Sequence, residues 1–249
     1  MTKLSVNVNK IATLRNTRAT GVPDIVKLAS LALDAGADGI TVHPRPDQRH
    51  IRPADVELLS TLCAQRGCEY NIEGNPFHGL LEHCQRVRPA QATLVPDARE
   101  SFTSNHGWNL IELGAPERQA LRHAIESLHG SGCRVSLFVD AVTDVMPIAR
   151  ELGADRVELY TEPYAAAMAL SPTAGEAALQ TYARAAAAAR AVGLGVNAGH
   201  DLSDENLGAF VKRVAPDEVS IGHALIALAL ELGLAETVRR YQTLCRASS

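Results

Sequence analysis

The sequence predicts an α/β protein with the (β/α)8 TIM-barrel fold, organised as one catalytic domain over residues 1–249, and three observations support this prediction. Eight short apolar segments rich in β-branched residues alternate with helical segments along the chain. The predicted strands are continuously apolar, as in a parallel sheet buried on both faces. Closing eight such units into a barrel is the economical arrangement at this length. An open doubly wound sheet is the alternative, although no GxGxxG motif follows the first strand.

Turn-forming and polar residues mark the two ends of each predicted helix and strand. The predicted strands are residues 4–8, 39–43, 69–73, 91–95, 134–140, 156–161, 195–200 and 218–223. The predicted helices are residues 23–36, 53–65, 79–87, 116–129, 144–152 and 173–191, then one that begins after residues 203–206 and a helical C-terminal stretch with a break near Gly233. The polar segment 97–114 is longer than most βα loops, which indicates a lid or binding loop.

Composition excludes several classes of partner. The net charge is -4 and only 4% of the residues are aromatic, which disfavours binding to nucleic acid or to an anionic membrane. The five cysteines show no CxxC spacing, so we interpret them as reduced structural thiols. The N-terminus lacks the apolar core of a signal peptide, and no apolar run reaches membrane-spanning length. A cytoplasmic protein is expected.

Polar residues recur at the C-terminal ends of the predicted strands. Active sites of barrel enzymes lie at that face, so residues that are distant in sequence are expected to meet there. Any single one of them could instead be a hydrogen-bonded structural group. The strand-end residues are Asn7, Asn9, His43, Glu73, Asp140, Glu158, Thr161, His200 and His223.

Glycines and cations near these strand ends indicate a phosphate site. Gly199 precedes His200 and Gly222 precedes His223, at the strands after which barrel phosphate sites commonly form. Ordinary strand-end turns are the alternative interpretation. Cations that could bind a phosphate or carboxylate follow the first two strands. They are Lys10, Arg18, Arg45 and Arg49, with His50 beside them.

Two kinds of chemistry are open to these residues. His43, Glu73, His200 and His223 could ligate a metal, but no HxH or HExxH motif places two ligands on one element. The nearby cations favour metal-free proton transfer on small phosphorylated substrates instead. Neither a flavin or nicotinamide motif nor a Schiff-base lysine is evident, so we expect no cofactor.

Seven specific segments occur in order from the first strand to the last. They are VNVNKIATLRNTR at 6–18, ADGITVH at 37–43, RHI at 49–51, LVP at 94–96, VSLF at 135–138, VNAGH at 196–200 and IGH at 221–223. Together they resemble the pyridoxine 5'-phosphate synthase family of the deoxyxylulose-dependent vitamin B6 pathway.

The resemblance implies a barrel with additional helices that assembles as a homo-octamer. It implies condensation of 3-amino-2-oxopropyl phosphate with 1-deoxy-D-xylulose 5-phosphate into pyridoxine 5'-phosphate, inorganic phosphate and water, without metal or redox cofactor. His43 and Glu73 would accept protons, His200 would donate one, and Glu158 would stabilise charged intermediates. Further residues would bind substrate: Arg45, His50 and Thr103 the deoxyxylulose phosphate, and Asn7, Arg18, Gly222 and His223 the amino ketone phosphate.

The chain departs from the family pattern at three of its expected substrate-binding positions. Asn9 and Lys10 stand where many members have Asp and His, and Asp201 stands where glycine is common. The interval from His43 to Glu73 is also slightly longer than is usual in the family, so Glu73 is placed by its strand end. We interpret these departures as a subfamily variant, with a changed substrate preference as the alternative. The competing functions are a sugar-phosphate aldolase or epimerase, which product and metal analysis would distinguish, and a non-catalytic barrel that binds a phosphorylated metabolite without turnover.

Overall fold

Eight parallel strands form a closed barrel in the computed structural model, which describes residues 1–99, 101 and 103–247. Each strand pairs with the next in sequence, and β8 pairs with β1 to close the sheet, so the predicted fold is confirmed. The strands are β1 (Lys3–Asn7), β2 (Gly39–Val42), β3 (Glu69–Gly74), β4 (Gln91–Leu94), β5 (Arg134–Val139), β6 (Arg156–Tyr160), β7 (Gly195–Gly199) and β8 (Glu218–Ile221).

Helices surround this sheet, and a single wide turn at Pro76–Leu80 precedes α4. The helices are α1 (Asn9–Asn16), α2 (Ile25–Asp34), α3 (Pro53–Arg66), α4 (Leu81–Val87), α5 (Ala115–Gly130), α6 (Val145–Leu152), α7 (Glu162–Leu170), α8 (Pro172–Ala191), α9 (Leu207–Val214), α10 (His223–Leu232) and α11 (Leu234–Arg246). In the described residues, no helix combines the length and the apolarity needed to cross a membrane.

Three of the described helices are additional to the eight of a simple barrel: α1, α7 and one of the C-terminal pair α10 and α11. The positions of α1 and α7 were not predicted from the residue pattern. Both lack the side-chain N-cap hydrogen bond that commonly marks a helix start in a sequence. Tertiary contacts stabilise α1 instead, because Arg15 is buried and pairs with Asp55 at 2.5 Å. The segment before α2 is therefore helical where a connection was expected.

Several strands end one or two residues earlier than predicted. His43 and His200 directly follow β2 and β7, and Asp140 directly follows β5. His223 is the first residue of α10, whose N-cap is Gly222, so the prediction that strand eight extends to residue 223 was wrong. Because the strands are shorter, these polar residues lie in the connections that follow the C-terminal ends of the strands, where their side chains can approach each other.

The opposite end of the barrel is closed by a hydrogen-bonded set of polar side chains, which we call the basal network. Gln91 Nε2 donates to Glu218 Oε1 at 3.2 Å, and Asn197 Nδ2 donates to Gln91 Oε1 at 3.1 Å. Arg134 donates to both Gln91 and Glu69. Glu69, Gln91, Arg134 and Glu218 each open a strand, so this network occupies the N-terminal end of the sheet.

Candidate active site

A cavity of about 520 Å³ opens at the C-terminal ends of the strands. It does not include three of the sequence-predicted residues. Arg18 is exposed beyond the end of α1, while Asp140 accepts a hydrogen bond from the Gly107 backbone and Thr161 donates one to the Gly199 carbonyl oxygen. The predicted residues that line it are Asn7, Asn9, Lys10, His43, Arg45, Arg49, His50, Glu73, Thr103, Glu158, His200, Asp201, Gly222 and His223. Residues separated by more than two hundred positions therefore share one space.

His43 and Glu73 form a pair at the exits of β2 and β3. His43 Nδ1 lies 3.8 Å from Glu73 Oε2, and Ser220 Oγ donates to Glu73 Oε1 at 3.3 Å. Burial raises the pKa of Glu73 to about 7. Burial, followed by the charge of Arg45, lowers the pKa of His43 well below its ordinary value. At neutral pH the pair is therefore an uncharged imidazole beside a carboxyl group that ionises readily.

Asn7 and Asn9 hold this pair in place. Asn9 Oδ1 accepts a hydrogen bond from the His43 backbone at 3.0 Å, which fixes the exit of β2. Asn7 Oδ1 accepts from the Asn9 backbone at 3.0 Å, while its Nδ2 donates to Glu73 at 3.4 Å. Both amides line the cavity as predicted, and in addition they position the proton-transfer groups.

Glu158 lies deeper, on β6, and is almost completely buried. Burial, with the charge of Glu73 as the next cause, raises its pKa well above the ordinary value. Thr93 Oγ1 donates to Glu158 Oε2 at 3.5 Å. Gly199 on β7 leaves room for the carboxyl group, because a Cβ at that position would lie 2.3 Å from Glu158 Oε1. Burial therefore favours the protonated form of Glu158, and the absence of a side chain at residue 199 gives its carboxyl group room.

His200 follows β7 and has polar neighbours at both ring nitrogens. Its Nε2 lies 3.2 Å from Thr103 Oγ1, and its Nδ1 lies 3.0 Å from Asp201 Oδ2. The ring of Tyr160 meets the His200 ring edge-on, with centroids 5.2 Å apart. The ring is therefore packed on one side and exposed to the cavity on another.

The cations around the cavity differ in their partners. Arg45 is buried, and its Nη2 donates to Asp97 Oδ2 at 2.6 Å. Arg49 and Arg45 both donate to the Ser101 carbonyl oxygen. Burial, then the Arg45 charge, lowers the pKa of His50 to about 4, so His50 is uncharged at neutral pH. Arg45 and Arg49 therefore carry the positive charge on this side of the cavity, and Arg45 is held in place by Asp97.

Lys10 and His223 provide a second group of donors. Each lies in the first turn of a helix, α1 and α10 respectively, and both are exposed at the cavity. The free backbone N–H groups of a helix N-terminus attract anions. The side-chain donors and the helix N-termini together make this rim suitable for a phosphate.

The polar segment 97–114 is only partly free to act as the predicted lid. Trp108 Nε1 donates to the Leu94 carbonyl oxygen at 2.9 Å, and Trp108 N donates to the Phe138 carbonyl oxygen. Gly107 packs so closely that an added Cβ would lie 2.3 Å from Val139 Cα. Glu100 and Phe102 lie outside the described residues. The segment is therefore held against the barrel at Gly107 and Trp108, and its role as a lid stays a prediction.

Several residues of the site were missed in the sequence. Ser220 and Thr13 line the cavity, as do Ser104, Val95 and Phe138. Period-two alternation along β8 places Ser220 on the same face as Gly222 and is a signal that could have identified it. In the described part of the chain, no three His, Cys, Asp or Glu residues are grouped so that they could hold a metal ion.

The fold and the cavity together define a (β/α)8-barrel enzyme whose acid and base groups meet at the C-terminal ends of the strands. The family profile described as "Pyridoxal phosphate biosynthesis protein PdxJ" matches residues 4–247. The chain belongs to this family, as the resemblance in its sequence indicates.

Curated relatives agree with this assignment. A pyridoxine 5'-phosphate synthase from Xylella fastidiosa (strain M12) is 54% identical over 249 residues, covering 96% of this chain and 93% of the relative. A pyridoxine 5'-phosphate synthase from Albidiferax ferrireducens is 51% identical and covers 96% of both chains. A third, from Xanthomonas oryzae pv. oryzae, is 52% identical and covers 99% of this chain. These relatives support pyridoxine 5'-phosphate synthase function for this chain.

Solved structures with low sequence identity share the fold. Thiamine phosphate pyrophosphorylase from Pyrococcus furiosus has a TM-score of 0.61 at 12% identity, covering 99% of this chain and 96% of the other. A structure titled "Native KDPGal structure" has a TM-score of 0.62 at 15% identity, covering 98% and 95%. Similarity at this identity supports the barrel architecture alone.

Proposed function

We propose that the chain condenses 3-amino-2-oxopropyl phosphate with 1-deoxy-D-xylulose 5-phosphate, giving pyridoxine 5'-phosphate, inorganic phosphate and water by general acid/base catalysis without metal. The observation that carries the proposal is the His43 and Glu73 pair, 3.8 Å apart in the cavity. Amine addition to a ketone, loss of water and ring closure each require a proton to move near neutral pH. A carboxyl group with a pKa of about 7 beside a neutral imidazole suits these steps.

His43 and Glu73 act as the proton acceptors in this proposal, and His200 acts as a proton donor. His43 is suited to accept because its lowered pKa keeps it uncharged. Glu158 keeps its proton at neutral pH, so it stabilises an oxygen anion by donating a hydrogen bond. The four groups thereby have separate roles set by their surroundings.

Phosphate recognition divides between two sides of the cavity. Arg45, His50 and Thr103 bind the phosphate of the deoxyxylulose substrate. Asn7, Gly222 and His223 bind the amino ketone phosphate near the N-terminus of α10, with Arg18 as an outer cation. One of the two substrate phosphates leaves during the reaction, and donors around it stabilise the departing charge.

The side chains that line the cavity support chemistry without a metal cation. Arg45, Arg49 and Lys10 contribute positive charge to the same space, which opposes the binding of another cation there. Proton transfer by His and Glu needs no Lewis acid when the substrate phosphates are held by these cations. Full turnover after treatment with a chelator is the expected result.

We also place this enzyme in the cytoplasm as a homo-octamer. Helix α10 is almost entirely apolar, yet only Leu225 is buried in it, and Leu230 is 79% exposed. Exposed apolar faces of this kind mark subunit contacts. All five cysteines lie in the described part of the chain and are unpaired there, which suits a reducing compartment. Light scattering should give eight times the mass of one chain, and a monomer mass would contradict the assembly.

The activity is tested by mixing both phosphorylated substrates with chelator-treated protein and following product by absorbance and mass. The parent protein should form pyridoxine 5'-phosphate and release inorganic phosphate. His43→Ala should bind both substrates but lower kcat about 10²- to 10⁴-fold, because a positioned base contributes about that much. No product from the parent protein, or a different product, would reject the proposed reaction.

A further inference from the structure

The turn that leaves β7 has an unusual backbone. His200 and Asp201 have φ values of 79° and 57°, so two successive residues with side chains occupy the left-handed region that favours glycine. Hydrogen bonds hold the turn from two sides. Thr161 Oγ1 donates to the His200 carbonyl oxygen, and Asn206 Nδ2 donates to the Asp201 carbonyl oxygen at 3.2 Å. The fold therefore maintains a conformation that glycine would adopt with less strain.

The side chains of this turn lie against each other at the cavity. Asp201 Oδ2 lies 3.0 Å from His200 Nδ1, and both residues line the cavity. His200 Nδ1 has no aligned hydrogen-bond partner among the described residues, so this carboxylate is the polar group closest to it that the structure shows. The adjoining His200 ring is the main cause that lowers the pKa of Asp201, with His223 and Lys10 as further charges that lower it. Asp201 is therefore a carboxylate at neutral pH, directed at the ring nitrogen that faces away from Thr103.

We propose that Asp201 is a positioning residue for the reaction: its carboxylate, 3.0 Å from the unpartnered His200 Nδ1, attracts the N–H at that nitrogen and so directs Nε2 at the substrates. This inference rests on the proposed function, in which His200 donates a proton. A carboxylate at one ring nitrogen fixes the orientation of a histidine and the position of the proton on the other. Glycine at residue 201 would adopt the left-handed backbone more easily, but it has no acceptor for His200. The carboxylate is therefore the functional contribution of Asp201.

Lys10 explains how the cavity accommodates this extra negative charge. A carboxylate at the rim would repel a substrate phosphate unless a cation compensated for it. Lys10 lies at the same cavity, and its charge is among those that lower the pKa of Asp201. Lys10 and Asp201 are opposite in charge and line the same cavity, so the two charges offset each other there.

The first test compares two substitutions at residue 201. Asp201→Asn keeps the size and tolerates the left-handed backbone, whereas Asp201→Gly relaxes the backbone completely. Both should lower kcat about tenfold and change KM less than twofold, because the proton donor is misdirected while binding is intact. Glu205→Gln removes the same charge from an exposed residue of the same loop and should leave both constants within twofold.

Two results of this comparison would overturn the inference. Unchanged kcat in both variants would show that the carboxylate is dispensable. A lower KM with unchanged kcat would show that Asp201 acts on the substrate phosphate instead of on His200. Thermal melting of each variant checks that a lower kcat is not caused by unfolding. Asp201→Gly is the variant most certain to fold, because glycine adopts the left-handed backbone of the turn without strain.

A double-mutant cycle then tests whether Asp201 acts through His200. His200→Asn alone should lower kcat by at least 100-fold, and adding Asp201→Asn should lower it less than twofold further. A full tenfold further loss in that background would overturn the positioning role. Full activity of the single His200→Asn variant would instead reject the proton-donor role in the proposed function, so the two failures are distinguishable.

Discussion

The two ends of the barrel both contain largely buried carboxyl groups with raised pKa values, and the 520 Å³ cavity opens at one of them. At the C-terminal end, Glu73 and Glu158 face a space of about 520 Å³. At the N-terminal end, burial raises the pKa of Glu218 to about 8, yet Gln91 and the rest of the basal network occupy the space beside it. A perturbed pKa alone therefore does not identify the active site of this protein.

The two ends differ in whether their polar side chains hydrogen-bond to each other. In the basal network, the donors and acceptors of Gln91, Arg134, Asn197 and Glu218 are directed at each other. Around the cavity, His43 and Glu73 lie 3.8 Å apart, beyond ordinary hydrogen-bond distance. Groups without close mutual partners are available to a substrate. The predictions that follow test this difference, from the largest expected effect to the smallest.

The pH dependence of the parent enzyme should be dominated by Glu73. Glu73 must be ionised to accept a proton, and the ionised fraction falls about tenfold per unit below its pKa of about 7. We expect kcat/KM to fall about 50-fold between pH 7 and pH 5, because about half of Glu73 is ionised at pH 7 and about one hundredth at pH 5, measured as initial rates of product formation. Glu218→Gln should keep the same acid limb, and a flat profile would remove Glu73 as the base.

Gly199→Ala should disturb the cavity end without disturbing the barrel. The added Cβ would lie 2.3 Å from Glu158 Oε1, so the carboxyl group must move. We expect kcat to fall about 10- to 100-fold, since a displaced donor no longer faces the developing charge. Gly208→Ala on α9, where the nearest contact is an ordinary 3.4 Å to Leu244, is the matched control. Equal activity in both variants would contradict the position given to Glu158.

Glu158→Gln should have a smaller effect than the other cavity variants. Because Glu158 keeps its proton at neutral pH, an amide of the same shape retains a hydrogen-bond donor. We expect kcat within about tenfold of the parent, and a much larger loss in Glu158→Ala, which has no donor. A loss above 100-fold in the Gln variant would mean that the carboxylate form is required.

Glu218→Gln at the basal network should change stability and leave activity within twofold. The pKa of Glu218 is raised in the folded state from about 4.5 to about 8. Stability is therefore fully present below pH 4.5 and is lost as the pH rises through 8. The Gln variant lacks this loss, so it should be roughly 2–4 kcal/mol more stable than the parent at pH 9 and similar at pH 5. Urea unfolding at both pH values measures this, and equal stability at pH 9 would contradict it.

The sequence was sufficient to predict the barrel and most of the cavity. Parallel strands carry their C-terminal residues to one face, so His43, Glu73 and His200 could be grouped without coordinates. Arg18 failed to join them because α1 ends at Asn16 and leaves it beyond the cavity. That helix was not anticipated, since it is stabilised by the burial of Arg15 and not by a capping residue.

Other features depend on contacts that no local pattern records. The pairing of Arg45 with Asp97 joins two loops 52 positions apart. Burial raises the pKa values of both Glu73 and Glu218. Sequence periodicity predicts which strand residues are buried, but it does not tell which end of the strand faces a cavity. The close approach of Asp201 Oδ2 to His200 Nδ1 depends on the left-handed backbone at the exit of β7, which no sequence pattern indicates.

The most direct test of the difference between the two ends is a matched pair of substitutions, Glu73→Gln and Glu218→Gln, assayed with both phosphorylated substrates after chelator treatment. Each replaces a buried carboxyl group of raised pKa with its amide. We predict that Glu73→Gln lowers kcat by at least 100-fold while Glu218→Gln stays within twofold of the parent. Similar kcat values for the two variants would contradict the assignment of the chemistry to the C-terminal cavity.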